Sequence, residues 1–320
     1  MKTIEDLFQE KIIKYNDIYL ISNKSKFKNQ NQTNEAFSDK WDKYQKENLS
    51  NKLKLFEFQK KWYLKLYGFS NEKKLRTFLS DKKIILDAGC GLGYKAKWFA
   101  DLSPNSLVIA MDYSDAVYLA AKNYHDTQNL IFIKNDIADT KIKTKSIDFV
   151  NCDQVLHHTE DPQKTIKELY RILKNNSELA VHVYSKKAIP RELIDNYFRE
   201  KTKDIPKEEI WKLSEQLTVL GKKLSKLKIN IDVPEIPLLD IKGGKMDLQR
   251  FIYWNFLKCF WNDELGKQTS ISTNFDWYSP SNAFRFSKVE FEKLLTNSNF
   301  EINPYHTEES CYSGRFKKRI

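Results

Sequence analysis

The residues with the clearest chemical potential lie in the segment 82–93, KKIILDAGCGLG. A short apolar run ends at Asp87 and leads into three alternate glycines, Gly89, Gly91 and Gly93. An apolar run of this length bounded by glycines is typical of a buried strand. Helix formers follow, so the glycines lie in a strand-to-helix turn, where the backbone can approach a ligand and helix N–H groups are unpaired. The segment therefore predicts a nucleotide-type cofactor site.

The spacing around the glycines bears on which cofactor binds. The frame Gly91-x-Gly93-x-x-Ala96 matches the dinucleotide pattern G-x-G-x-x-G/A. That pattern places its first glycine directly behind the strand, whereas here residues 87–90 intervene and the acidic residue precedes the glycines. A nicotinamide dehydrogenase is therefore the remote alternative.

Strand and helix patterns alternate around this turn, which predicts a parallel sheet with helices on both faces. The helices are expected at 94–101, 114–124, 161–174 and 287–297. The strands are expected at 83–88, 106–111, 129–134, 147–152, 178–184, 299–305 and 309–317.

Four segments in order resemble the class I S-adenosylmethionine-dependent methyltransferases. Residues 87–93 resemble the D-x-G-x-G-x-G motif, 108–114 the second strand with its acidic end, and 131–137 the third strand. Residues 149–162, with V-L-H-H, resemble the fourth strand and loop of the subgroup that includes quinone-biosynthesis enzymes. The resemblance implies a doubly wound, mostly parallel, seven-stranded Rossmann-like sheet and S-adenosyl-L-methionine as cofactor.

The resemblance also implies a cofactor-binding set. In that arrangement Asp87 orients the ammonium group, Asp112 accepts the ribose hydroxyls, and Asp136 accepts from the adenine amino group. Tyr113 and Ile137 flank the adenine. The full cofactor-binding prediction is Asp87, Gly89, Cys90, Gly91, Gly93, Asp112, Tyr113, Asp136, Ile137 and Asp153. The alternative for any single strand-end aspartate is a helix N-cap.

Two histidines, His157 and His158, follow the fourth predicted strand, near the expected methyl group. Methyl transfer needs alignment, and an acceptor that loses a proton also needs a general base. Either histidine is a candidate base; the equally weighted alternative is that one packs on the sheet and the other caps a loop.

Two aromatic segments outside the core resemble elements of the same subgroup. Residues 37–44 resemble an F-x-x-x-W element that could cover the cofactor, and residues 275–280 resemble a D-W-Y-S-P element. We expect both segments to border the methyl-transfer pocket, with substrate contacts from Trp41, Tyr44, Trp277 and Tyr278. The alternative is hydrophobic packing of the extensions on the sheet.

The amino-acid composition limits the kinds of partner that we expect for this protein. The 320 residues carry a net charge of +11, but lysines are spread along the chain without a dense basic stripe, so nucleic acid is not the favoured partner. Four scattered cysteines show neither metal-ligand nor disulfide spacing. The absence of an apolar leader and of any membrane-length apolar run favours a soluble, cytoplasmic protein. The oligomeric state is not predicted.

The sequence therefore predicts a methyltransferase with a helical N-terminal extension or lid (1–80), a cofactor core (81–185), a mostly helical cap insertion (186–284) and a C-terminal helix and strands (285–320). The expected acceptor is a small metabolite, a sugar or a glycan intermediate. The alternatives are a tRNA or rRNA methyltransferase, suggested by the charge, and a non-catalytic methyltransferase-like binding protein.

Overall fold

The computed structural model describes residues 4–21 and 25–319 and contains one large mixed sheet. The strands are β1 Ile13–Tyr15, β2 Ile18–Leu20, β3 Ile84–Ala88, β4 Leu107–Asp112, β5 Leu130–Lys134, β6 Ile147–Cys152, β7 Leu173–Ser185, β8 Asn230–Val233, β9 Gly244–Asp247, β10 Arg285–Phe286, β11 His306–Thr307 and β12 Cys311–Lys317. The helices are α1 Lys28–Gln45, α2 Leu49–Leu66, α3 Glu72–Leu79, α4 Tyr94–Leu102, α5 Ala116–Asn123, α6 Pro162–Ile172, α7 Ile189–Thr202, α8 Lys207–Lys226, α9 Leu248–Asn255, α10 Gly266–Tyr278 and α11 Lys288–Thr296.

The large sheet has the strand order β1-β2-β5-β4-β3-β6-β7-β12-β11, and β10 pairs with the end of β7. The strands from β2 to β7 run parallel, and β12 is antiparallel to β7. The predicted mostly parallel α/β fold is therefore confirmed. Six of the predicted strands, β5, β4, β3, β6, β7 and β12, form the centre of this sheet, and β1, β2, β10 and β11 are additions to it.

Successive residues of the central strands pack into different cores, as the two-residue period of a strand requires. On one face lie Ile85, Val108, Phe132, Phe149 and Ala180, covered by residues of α2 and α4. On the other face lie Leu86, Ile109, Ile133, Val150 and Val181, covered by α6 and α11. Because both faces are covered, the strands read as continuous apolar runs rather than as alternating ones.

Two sequence expectations are corrected. Residues 1–80 are not wholly helices and loops, because β1 and β2 form a hairpin that adds β2 to the edge of β5. Its turn at Asn16 has a φ of 52°, and Asn-Asp between short apolar runs is the signal that could have revealed it. The expected strand 299–305 is absent apart from a bridge at Phe300. Pro304 in that stretch has no N–H to donate to a sheet.

The segment after β7 holds α7 to α10 and the separate hairpin β8–β9. Helix α10 packs against α8, α7 and α1, which brings this insertion and the N-terminal helix together. No helix in the described part of the chain is long and apolar enough to cross a bilayer.

The start of α4 generates a stability prediction. Gly93 precedes this helix with a φ of 76°, and a Cβ there would lie 3.0 Å from both Ala120 and Phe132. Gly68 has a similar φ of 71°, but a Cβ there would meet nothing within 4 Å. Both alanine substitutions should cost about 1–2 kcal/mol for the left-handed backbone, and G93A should lose about 1–3 kcal/mol more through overpacking. Urea unfolding of both variants measures the difference in their free energies of unfolding. Equal decreases would show that the neighbours of Gly93 shift to accommodate the methyl group without cost.

Candidate functional site

The candidate site is a cleft of about 1050 Å³, open solvent included, at the carboxyl ends of the central strands. Parallel sheets of this kind bind ligands at that edge. Side chains from β3, β4, β6 and β7 meet α1 and α10 there. The predicted residues that line it are Trp41, Asp87, Gly89, Cys90, Gly91, Asp112, Tyr113, Asp136, Ile137, Asp153 and His158.

The glycine turn follows β3 directly. The N–H groups of Gly89 and Cys90 both donate to the Met111 carbonyl, at 2.7 and 3.0 Å. Gly89 has a φ of 86°, and a Cβ there would come within 2.3 Å of Val155. Only glycine therefore permits the turn to pass this close to the loop after β6.

Asp112, at the end of β4, holds the glycine turn. One of its carboxylate oxygens accepts from the Gly91 N–H at 2.7 Å. The other accepts from the backbone and hydroxyl of Ser114, at 2.8 and 2.7 Å. Its carboxylate is thus fixed beside the turn, and the oxygen that accepts from Gly91 has a second lone pair for a further bond.

Asp87 is the most unusual group of the cleft. Its side chain is buried, with 2% of the residue surface exposed, and Oδ1 accepts from the Asn151 amide at 2.7 Å. Its Oδ2 is buried and has no hydrogen-bond partner within residues 4–21 and 25–319. Burial raises the pKa of this carboxyl to about 6, although Lys95 and Asn151 act to lower it. An orphaned carboxylate oxygen in a cleft is a binding site for a cation or donor.

Asp153, after β6, is already engaged. It accepts from the Tyr67 hydroxyl at 2.7 Å and from Gln154 at 3.2 Å, and it pairs with Lys95. Burial acts to raise the pKa of this carboxyl, but Lys95 outweighs that effect and holds the pKa below its ordinary value. Asp153 therefore works within the protein as the counterion of Lys95.

Asp136 and Ile137 follow β5 and line the cleft beside Tyr113. The Ala138 N–H donates to Asp136 at 2.8 Å. Burial raises the pKa of the Asp136 carboxyl. The structure brings these residues to the side of the cleft next to Asp112, and their contact with an adenine stays a prediction.

His158 is held in one tautomer by the backbone. Its Nδ1 lies 2.7 Å from the Asn282 carbonyl, which can only accept, so Nδ1 carries the proton and Nε2 has a free lone pair. Burial lowers the pKa of this imidazole to about 4, so the ring is neutral near pH 7. A neutral imidazole in a cleft has the form that a general base requires.

His157 differs from its neighbour. It is fully buried outside the cleft lining, with its ring 3.8 Å from the Tyr184 ring and no partner for either nitrogen. Burial lowers its pKa well below the ordinary value. Of the two histidines, the structure thus places His158 at the cleft and His157 in the packing behind it.

Helix α1 covers the cleft. A Cβ on Gly91 would lie 3.2 Å from the Trp41 indole, so this ring packs on the glycine turn. Lys40 forms an ion pair of 2.6 Å with Asp276 of α10, and both line the cleft. The segments 37–44 and 275–280 therefore both border the cleft; that this cleft is the methyl-transfer pocket stays a prediction.

Three predicted substrate contacts and one glycine lie elsewhere. Tyr44 borders a second cavity between α1, α8 and α10, and Gly93, at the start of α4, packs against α5 and β5. The indole of Trp277 and the hydroxyl of Tyr278 donate to Asp195 inside the cap, at 2.9 and 2.8 Å. For Trp277 and Tyr278 the packing alternative is the better description, because their polar atoms bind within the protein and neither ring lines the cleft.

Several residues of the site escaped sequence reasoning. Asn151 bonds to Asp87 and accepts from Tyr63 of α2 at 3.1 Å, and Tyr67 and Lys95 bind Asp153. Asn151 and Asp153 are two residues apart at the end of a strand, which places both polar groups on the same face, and this spacing was the available signal. Tyr63 and Tyr67, four residues apart, carried no signal that separates them from packing residues.

Comparison with known proteins identifies the core. Residues 86–181 match the family model described as "Methyltransferase domain". An uncharacterized chloroplastic methyltransferase of Arabidopsis thaliana is 30% identical over 97 residues, 28% of this chain and 27% of that protein. The ubiquinone biosynthesis O-methyltransferase of Coxiella burnetii is 32% identical over 100 residues, 30% of this chain and 42% of that protein. This chain therefore spans less than half the length of these relatives.

Among solved structures, a SAM-dependent methyltransferase from Aquifex aeolicus matches with a TM-score of 0.42 and 13% identity, over 79% of this chain and 91% of that chain.

The site's own chemistry agrees with the cofactor of that family. The orphaned Asp87 oxygen suits an ammonium group, and the fixed Asp112 carboxylate beside the open glycine turn suits ribose hydroxyls. Residues 86–181 thus form a class I methyltransferase domain, of the family that uses S-adenosylmethionine as methyl donor.

Proposed function

We propose that this protein methylates a small-molecule acceptor bound in the cleft between the glycine turn and α1. The observation that carries the proposal is that an orphaned buried carboxylate and a neutral histidine with a free nitrogen line the same cleft. The first suits the cofactor and the second suits an acceptor that must lose a proton. When bound, S-adenosylmethionine supplies a methyl group on a positively charged sulfur.

Each residue of the cleft has a separate role in this proposal. Asp87 binds the cofactor's ammonium group, Asp112 its ribose, and Asp136 with Ile137 its adenine. Trp41 packs on the turn and excludes water from the reacting sulfur, where an aromatic face also attracts a cation. These roles rest on the placement of the side chains around one cleft.

His158 is proposed as the general base. Its Nδ1–H is fixed on the Asn282 carbonyl, so the ring presents Nε2 for a proton from the acceptor. An oxygen acceptor fits this arrangement, and the O-methyltransferase among the relatives supports it. His157 and His182 share the environment of Tyr184 but lie behind it, where they shape the packing of His158.

The acceptor is proposed to be a small metabolite rather than RNA. The two lysines that line the cleft are each paired with an aspartate, Lys40 with Asp276 and Lys95 with Asp153. Neither is left for a phosphate backbone, and α1 with the cap covers the cleft. A sugar or a glycan intermediate remains within this proposal as an acceptor of suitable size.

The pKa of Asp87 predicts how cofactor binding depends on pH. A bound ammonium group favours the carboxylate, so it lowers a pKa that is about 6 in the free protein. The affinity for the cofactor is therefore greatest above pH 7. It decreases as the pH falls through 6, by up to about tenfold per pH unit. Calorimetry with S-adenosylhomocysteine from pH 8 to pH 5 measures this. D87N should bind weakly with little pH dependence; a wild-type affinity that stays constant to pH 5 would contradict the role of Asp87.

Asp112 provides a second test of cofactor binding. D112A removes a charged acceptor for the ribose and the bond that holds Gly91, and bonds to charged groups contribute about 1.5–3 kcal/mol. The dissociation constant for S-adenosylmethionine should rise by about one to two orders of magnitude. D115A is the matched control, since Asp115 is exposed and does not line the cleft. An unchanged constant in folded D112A would exclude Asp112 from the site.

The role of His158 is tested by turnover. With an acceptor found by screening metabolites against labelled cofactor, H158A should transfer methyl about 10²–10⁴-fold more slowly while binding S-adenosylmethionine normally. Because the pKa of His158 is about 4, the wild-type rate should not fall between pH 8 and pH 6 through protonation of this base. The exposed His125, changed to alanine, serves as control. Full activity of H158A would contradict the role of general base and would show that the protein acts by aligning donor and acceptor alone.

A further inference from the structure

The cap contains an excess of buried positive charge. Four cationic side chains, Lys187, Arg191, Arg199 and Lys258, lie within 4.6–5.7 Å of the centre of the Trp277 ring. Within the described part of the chain, a single carboxylate, Asp195, forms an ion pair with this group, through Arg191 at 2.8 Å. Buried charges are normally paired, because desolvation of an unpaired ion is costly.

Among the described residues, three of these four side chains have no buried nitrogen that lacks a hydrogen-bond partner. Lys187 donates to the Ser185 carbonyl at 2.6 Å, and Lys258 donates to the Tyr253 hydroxyl at 3.2 Å. Arg191 is bound to Asp195. Arg191 and Lys258 contribute a positive field, whereas burial lowers the pKa of Lys187 to about 7 and leaves it only partly charged at neutral pH.

Arg199, on α7, is the exception. Its Nη1 lies 3.4 Å from the Pro280 carbonyl, whereas its Nε and Nη2 are buried and find no partner among the residues that the structure describes. Nε and Nη2 form one edge of the guanidinium plane, and their parallel N–H bonds match the two oxygens of a carboxylate or a phosphate. Burial and the neighbouring Arg285 lower the pKa of Arg199 to about 10, so the side chain remains charged at neutral pH.

This cluster adjoins the acceptor side of the cleft. The Trp277 ring lies 5.0 Å from the ring of Tyr184, which lines the cleft and lies 5.6 Å from the ring of His158. Pro280, which accepts from Arg199, belongs to the same short loop as Asn282, which fixes His158. One loop thus connects the unsatisfied guanidinium with the proposed base.

We infer that the methyl acceptor is a small molecule with an oxyanion group, a carboxylate or a phosphate, held by the Nε–Nη2 edge of Arg199 while its reacting atom lies at His158. The inference rests on the proposed function, because it assigns the substrate class of the same cleft. The anion would supply the counter-charge that the cluster lacks. Arg199 would then determine specificity for charged over neutral acceptors.

The test uses three probes of similar shape, benzoate, phenyl phosphate and benzamide, titrated by calorimetry into the full chain saturated with S-adenosylhomocysteine. We expect at least one anion to bind about tenfold or more tightly than benzamide. A preference for benzoate assigns a carboxylate, and a preference for phenyl phosphate assigns a phosphate. Equal binding of all three, or no binding of any, would overturn the inference. Failure of S-adenosylhomocysteine itself to bind would instead overturn the proposed function.

Variants locate the anion. R199Q should weaken binding of the preferred anion by about 10- to 100-fold and leave benzamide and S-adenosylhomocysteine unaffected. R199K keeps the charge but lacks the edge with two parallel N–H bonds, so it should also weaken anion binding. If circular dichroism shows that R199Q is unfolded, R199K alone tests the role of Arg199. K201Q removes an exposed charge from the same helix and should bind like the wild type. Wild-type anion affinity in folded R199K and R199Q would contradict the assignment.

Discussion

The burial of the Asp87 carboxylate constrains much of the site. Its position at the end of a central strand places it in the middle of a sheet that is covered on both faces. Asn151 satisfies one oxygen, and Tyr63 of α2 in turn binds Asn151. The second oxygen remains without a partner. The protein thus holds one acceptor ready at the cleft, at the cost of a raised pKa.

A similar set of contacts around the Asp153 carboxylate supports this site. Tyr67, at the end of α2, and Lys95, in the first turn of α4, both bind Asp153. The Lys95 charge also acts on Asp87 and lowers a pKa that burial would otherwise raise further. A single helix, α2, therefore contributes to both carboxylates through tyrosines one turn apart. Loss of either tyrosine would leave a buried polar group of the site unsatisfied.

The cover of the cleft depends on a second set of contacts, centred on residues 279–282. Gln32 of α1 donates to the Ser279 carbonyl and accepts from the Ser281 N–H, both at 2.7 Å. Thr33 accepts from the Asn282 N–H at 3.0 Å. The same loop binds His158 and Arg199 through its carbonyls. Any movement of α1 away from the cleft would therefore displace this loop and change the position of the proposed base and of the proposed anion site.

The sequence predicted the sheet and the edge at which its aspartates meet, because these depend on local patterns. The apolar runs that end in Asp87, Asp112 and Asp136 place polar groups at one edge of a parallel sheet, whatever the rest of the chain does. The cap side was not predictable in the same way. Trp277 and Tyr278 read as pocket residues, but their direction is set by Asp195, which lies over 80 positions away. Arg199 and Asn282 carry no motif, and their importance appears only once the fold brings them together.

The distribution of charge gives the cleft a polarity that net charge does not reveal. The strand edge of the cleft carries Asp87, Asp112 and Asp136. The cap beside Tyr184 carries four basic side chains, of which Lys187 has a pKa that burial lowers to about 7, and the described residues pair one carboxylate with them. Part of the +11 charge is therefore internal and spatially ordered, rather than a uniformly solvated surface. A site with a negative side and a positive side would favour a cationic donor at one end and an anionic acceptor at the other, and it would disfavour either molecule bound in the wrong half. Such complementarity aligns donor and acceptor through long-range charge before any short contact forms, which is the contribution that methyl transfer most requires from a protein.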